Sequence, residues 1–201
     1  GYEVRVAAGQ KSLPFEEDFV NGIIDGVRVK LEGMIWKGVK ANDGMDGLLT
    51  ILDAASASTI QPALATGSSI YEKTLAVYKA IPAAVLKDTV IFMGVDAYRD
   101  LVMELVEKNL YHYPANDNAD VFEMTLPGTA TKIAGVPGLN GTAKMAALPQ
   151  GETVYGVDMQ NDQEAFKFWY SDDNQEYRLA INFNGGVQVA FLDDAVLATA
   201  E

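Results

Sequence analysis

Between Phe15 and Lys37 the chain reads FEEDFVNGIIDGVRVKLEGMIWK, and Phe15, Phe19, Ile23, Val27, Leu31 and Ile35 recur at every fourth position. That spacing draws a slowly drifting apolar stripe along one side of an α-helix, and Ile24 and Met34 widen it. It predicts a rod over residues 15–37, about 34 Å long at 1.5 Å per residue. Gly22, Gly26 and Gly33 each cost roughly 1 kcal/mol relative to alanine inside a helix, so packing has to offset them. Close approach of another element is the expected reason for Gly22 and Gly26, with a hinge as the alternative.

The segments that follow are shorter. In KANDGMDGLLTILDAASAST, residues Asn42, Asp43, Gly44 and Gly47 mark a turn-rich connection, without the alternating oxygen ligands and closing glutamate of a calcium loop. Ser69 and Glu72 fit a capping box for a helix carrying Leu75, Tyr78 and Ile81, which Pro82 limits. Val90 to Met93 suits a buried strand, and Asp96 can cap a helix carrying Tyr98, Leu101, Val102, Leu105 and Val106. The turn inside this strand–turn–helix unit has only Gly94 and no following lysine, so it reads as architecture and not as a nucleotide loop.

After the polar stretch PANDNAD the pattern becomes strand-like in VFEMTL, TKIAGV, AKMAAL and TVYGVD, and again in AFKFWYS and EYRLAINF. Gly185 and Gly186 precede a further alternation at Val187, Val189 and Phe191, as a hairpin turn or as a bulge in one long strand. Helices dominate the first half and strands the second, which points to an α+β protein.

Composition narrows the chemistry. The 201 residues are 49 % apolar and 21 % charged, as in a globular protein, and no apolar run approaches the ~18 residues of a membrane span. The start GYEVRVAAGQ has neither a basic region nor an apolar signal core, and its lack of an initiator Met suggests a processed product or an excised fragment. A formal charge of -13 opposes non-specific adhesion to nucleic acid. With no Cys there is no disulfide framework, thiolate metal site or cysteine nucleophile. The sole histidine, His112, stands between two tyrosines, where packing or surface exposure is the usual role.

The glycine-rich stretch KIAGVPGLNG lacks the lysine and Ser/Thr ending of a phosphate loop, and Pro137 lacks an N–H. Pro137-Gly138 and Asn140-Gly141 are turn dipeptides, so a strand connection is expected there. No GxSxG elbow occurs. Spacing alone does not exclude a glycosidase-like acid pair among the many carboxylates, but Asp172 and Asp173 fit a polar hairpin loop between WYS and EYRL. Trp36 and Trp169 could line a sugar platform, yet both lie on apolar-periodic segments that favour core or interface packing.

The order of these segments resembles the major capsid proteins of tailed bacteriophages, whose shell fold is named after phage Hong Kong 97. The likeness is carried by the long amphipathic helix, the strand and helix ending in NLYHY, the segment GTATKIAGVPGLNG and the closing AFKFWYSDDNQEYRLAINFNGGVQVAF. It covers about Phe15 to Phe191. It implies a spine helix in a first peripheral segment (1–60), an axial domain (61–158) and a return to a peripheral antiparallel sheet (159–201). Only fourteen residues precede Phe15, so the N-terminal arm and extended loop usual in the family would be largely absent. No lysine-to-asparagine crosslink of the kind some members form can be assigned to a residue here.

The resemblance further implies a non-enzymatic subunit, without catalytic residues, cofactor or metal, that forms hexamers and pentamers of an icosahedral shell. The shell would belong to a phage or prophage, be made in the bacterial cytoplasm and enclose DNA without reading its sequence. Scaffold, protease and portal proteins would be its further partners, with no membrane involved. Candidate interface residues are Trp36 and Lys37 at the end of the spine helix, His112 and Tyr113 after the axial helix, and Asp172 and Asp173 in the hairpin. The competing readings are an encapsulin-like bacterial nanocompartment shell and a carbohydrate-active enzyme or binding module.

Overall fold

The computed structural model describes residues 15–110, 122–126, 128–157, 166–171, 176–181 and 185–199, with 15–20, 166–171 and 176–181 as backbone. Helix α1 spans Phe15–Lys37, the whole of the expected rod. A four-residue turn of helix, α2 (Lys40–Asp43), ends at Gly44 in the left-handed region at φ 83°, the conformation for which glycine is suited. The connection is thus turn-rich as expected, but α3 (Leu48–Ala54) follows at once, a helix too short to show its period in sequence. Helix α4 (Ile70–Ala80) starts at the Ser69–Glu72 capping box and stops at Ile81, before Pro82.

Strand β1 (Thr89–Gly94) runs directly into α5 (Val95–Glu107), and here one expectation fails: the N-cap is Gly94, and Asp96 is the second residue of the helix. The reason is steric, because a Cβ at position 94 would collide with the Asp96 carboxylate and lie 2.9 Å from the Leu139 carbonyl oxygen. Next come β2 (Glu123–Thr125), β3 (Lys132–Val136), a 3-10 turn (Pro137–Leu139), β4 (Lys144–Pro149) and β5 (Thr153–Val157). The last described elements are β6 (Phe166–Ser171), β7 (Glu176–Ile181), β8 (Gly185–Val189), a second 3-10 turn (Leu192–Asp194) and β9 (Val196–Thr199).

Five strands form one sheet in the order β2-β3-β1-β4-β9, with β1 and β3 parallel and the other pairs antiparallel. Period-2 alternation divides its side chains between two cores. Ile91, Met93, Ile133, Met145, Ala147, Val196 and Ala198 pack with Val77 and Ile81 of the α4 segment and with Leu101 and Leu105 of α5. On the other face Ala146, Leu148 and Leu197 pack with Trp36 of α1 and with Leu48, Leu49 and Leu52 of α3. The sheet is therefore the middle of three layers.

Outside it lie two antiparallel ribbons, β5–β8 and β6–β7. Gly185 and Gly186 form neither a hairpin turn nor a bulge: they pair with Val157 and Gly156 inside β8, and β7 pairs with β6. Close approach of another element is the expectation at Gly22 and Gly26, but among the described residues no atom lies within 4 Å of a Cβ built at Gly22, Gly26 or Gly33.

Candidate subunit interface and the joint behind it

Two of the six sequence-selected residues lie in the described structure, and they have opposite fates. Trp36 is 7 % exposed, with its ring centroid 5.1 Å from that of Phe92 and tilted by 52°. Lys37, the next residue along the helix, is exposed. His112, Tyr113, Asp172 and Asp173 lie outside the described residues.

Trp36 is one component of a joint that fixes the end of α1 to the sheet. A side chain at Gly138 would run into the Trp36 ring and sit 3.0 Å from the Glu32 carbonyl oxygen, so glycine lets the 137–141 turn lie flat on the helix. The Gly138 amide donates to Glu32 Oε1 at 3.0 Å, and Lys37 Nζ donates to the Asn140 carbonyl oxygen at 3.4 Å. Across the turn, the Val95 amide donates to Asn140 Oδ1 at 2.7 Å and the Gly141 amide to Asp96 Oδ2 at 2.8 Å. The hydrogen bond from Gly141, with those from Ala97 and its own amide and the nearby Lys37 charge, holds the Asp96 carboxyl below its ordinary value against the opposing effect of burial. KIAGVPGLNG is thus strand β3 and the connection after it, as the turn dipeptides indicated, and the Gly138 and Gly141 amides and the Asn140 side-chain oxygen are bonded within the fold.

A second close contact sits beside the first. The Gly47 amide donates to the Gly38 carbonyl at 2.9 Å, and a Cβ on Gly47 would lie 2.6 Å from the Gly38 nitrogen and 2.7 Å from the Met34 carbonyl oxygen. This contact delivers α3 to the sheet face that Trp36 also covers. On the opposite face, Glu104 of α5 accepts from the Tyr71 amide at 2.9 Å and from Lys108 Nζ at 2.6 Å. Burial pushes its carboxyl up, but hydrogen bonds from Lys108, Ser69 and the Tyr71 amide outweigh that and leave it below the ordinary value.

Further exposed apolar surfaces occur among the described residues, and the sequence does not mark them because alternation and helical periodicity do not say which side is covered. On α5, Met103 (60 % exposed) and Val106 (52 %) lie one helical turn apart and are open to solvent, while Leu101 and Leu105 are buried. On the ribbon, Val154, Tyr155, Val157 and, after β8, Phe191 (62 % exposed) are open to solvent. Strand β5 carries no charge and pairs only with β8, leaving its outer edge without a described neighbour strand.

An open cleft of about 280 Å³ between α2 and β8 is lined by Lys40, Asp46, Gln188 and several apolar or glycine residues. Among the described residues no group of three or more His, Asp or Glu side chains is placed to hold a metal, and no helix is long and apolar enough to cross a membrane.

No protein-family model and no curated protein matches the sequence. Solved structures do match. A satellite phage P4 procapsid that includes the size determination (Sid) protein is 12 % identical over 98 % of this chain and 66 % of the matched one, with a TM-score of 0.58. The capsid of an empty GTA particle is 13 % identical over 92 % of this chain and 66 % of its own, with a TM-score of 0.57. A structure from Mycobacterium phage Che8 is 13 % identical over 74 % of this chain and 56 % of its own, with a TM-score of 0.49. The chain thus spans less than two thirds of the length of each of these three. The long helix, the three-layered sheet domain and the outlying ribbons together have the α+β fold of viral capsid subunits.

Proposed function

We propose that the chain is a major capsid protein of the Hong Kong 97 type, a non-enzymatic subunit of the icosahedral shell of a tailed bacteriophage or prophage. The observation that carries this is the fold match over 98 % and 92 % of the chain to a procapsid and a capsid. The physical features agree: closed shells require side-by-side contacts between different patches of identical subunits, and the chain offers separate apolar patches on α5 and on the ribbon. The burial of Trp36 speaks against a sugar platform at that residue.

In this reading residues 61–158 form the axial part near capsomer centres, and 1–60 with 159–201 form the peripheral part. Ile60 and β9, which bridge to one another at Val196, stitch the peripheral segments into the axial sheet. Lys37 and the residues His112, Tyr113, Asp172 and Asp173 are candidate contacts between subunits, while Trp36 acts by fixing the helix that presents Lys37. Hexamers and pentamers of the chain, synthesised in the bacterial host cytoplasm, would enclose DNA in a virion capsid without reading its sequence, assisted by scaffold, protease and portal proteins.

Electron microscopy of the full-length gene product after expression and nuclease treatment tests the proposal. Closed shells that protect DNA are expected. Shells filled with an enzyme would instead identify a nanocompartment, and a full-length product that stays monomeric with its scaffold and protease supplied would overturn the shell role.

A further inference from the structure

Asn140-Gly141 carries chemistry that a shell role does not use. An asparagine followed by glycine is open to intramolecular attack, because glycine places no side chain in the path of its own amide nitrogen. We propose that Asn140 is a deamidation site whose reaction is gated by the joint between α1, α5 and the 137–141 turn. In the reaction the Gly141 nitrogen bonds to Cγ of Asn140, the Cγ–Nδ2 bond breaks, and ammonia leaves with the proton that the amide gave up. Water then opens the resulting succinimide at either carbonyl, leaving aspartate or isoaspartate at position 140.

One group that such a reaction needs is already in place: the Val95 amide sits 2.7 Å from Asn140 Oδ1, where negative charge develops. The joint withholds the rest. The Gly141 nitrogen, the attacking atom, is tied to Asp96 Oδ2 by a 2.8 Å hydrogen bond. Asn140 lies at φ -55° and ψ 137°, Gly141 at φ 71°, and the Thr142 amide donates to the Leu139 carbonyl at 3.2 Å, which together make a type II turn. Closing the ring requires Cβ of Asn140 and the Gly141 nitrogen to eclipse across the Cα–C bond, which demands a negative ψ and the mirror-image turn that L-residues resist at this position.

Turning that peptide also pulls the Gly141 amide off Asp96 and the Asn140 carbonyl off Lys37 Nζ, now 3.4 Å away. Deamidation therefore passes through an opened joint. Its product does not reclose in the same way: isoaspartate adds a methylene to the turn backbone, and either product sets a second carboxylate beside Asp96.

The test is peptide mapping of aspartate and isoaspartate at position 140 after incubation in mildly alkaline buffer, native and in denaturant. Asn21-Gly22 and Asn184-Gly185 of the same chain serve as references. Gating predicts Asn140 conversion at least about tenfold slower in the native chain than in denaturant. Asp96→Ala should raise the native rate severalfold and leave the denatured rate unchanged. Should that variant lose its cooperative melt, Asp96→Asn, which keeps an acceptor of the same shape, is expected to fold and to give an intermediate native rate. Equal rates in native and denatured chain, or folded Asp96 variants no faster than the parent, would overturn the proposal.

Discussion

The five-stranded sheet and the β5–β8 ribbon both use Val, Thr and Gly, and differ in what covers them. Ile91, Met93 and Leu105 are wholly buried between the sheet and its helices, whereas Val154 is 53 % exposed on β5. The glycines repeat the contrast. Gly47 and Gly138 lie where a methyl group would strike backbone or a ring, while a methyl group at Gly22 or Gly26 would meet no described residue within 4 Å. One region completes itself within the chain, and the other is left with faces that another molecule would have to cover.

The strongest way to break the comparison is to cut the core. Leu105→Ala should cost about 2–5 kcal/mol in chemical denaturation of the free chain, because a wholly buried side chain is lost and its cavity retained. A cost below about 1 kcal/mol would mean the sheet is not the stabilising unit. Next in size is Gly47→Ala, expected to destabilise by about 1–3 kcal/mol, since its Cβ meets the backbone of Gly38 and Met34. Gly22→Ala should do the reverse and stabilise the free chain by up to about 1 kcal/mol, helix propensity being the only thing it changes. If that variant then assembles poorly, the empty space beside Gly22 is filled by a neighbouring subunit.

Smaller still is Val154→Ser, expected to shift the free chain by no more than about 0.5 kcal/mol while lowering the yield of closed particles counted by microscopy. An unchanged particle yield would take the ribbon out of the interface. The pH dependence is the finest probe. Asp96 and Glu104 have folded values below their unfolded ones, so their contribution is present above the ordinary carboxylate range and lost as pH falls from about 4.5 through the folded values. Glu152 has the opposite sign: burial, then the Asp194 charge, raises its carboxyl, and one of its oxygens is buried without a partner. Its contribution is present at acid pH and lost as pH rises above the ordinary glutamate value, so Glu152→Gln should flatten the melting-temperature profile on that side.

Much of the fold was legible because the relevant signals are local. The fourfold recurrence of apolar residues marks α1 from end to end, and the reciprocal bonds of Ser69 and Glu72 mark the start of α4. What sequence withheld depends on distant partners. Asp96 suits a cap by its local sequence, but Asn140, which takes the Val95 amide, and the Gly141 amide, which Asp96 accepts, decide its place. Gly185 and Gly186 looked like a turn because glycines often are one, and only pairing with β5 shows them to be strand. Trp36 reads in sequence as a contact between subunits, and within the chain its ring packs against Phe92 and the backbone of Gly138. The exposed stripe of Met103 and Val106 could not be told from a core stripe by period alone.

The division between a self-sufficient sheet and partner-dependent surfaces is tested most directly by hydrogen exchange on assembled particles against the dissociated chain. Slower exchange is expected at the β5 amides of Val154–Val157 and along residues 21–30 of α1, with those of Ile91 and Met93 unchanged. Closed particles in which β5 and α1 exchange as fast as in the free chain would contradict it.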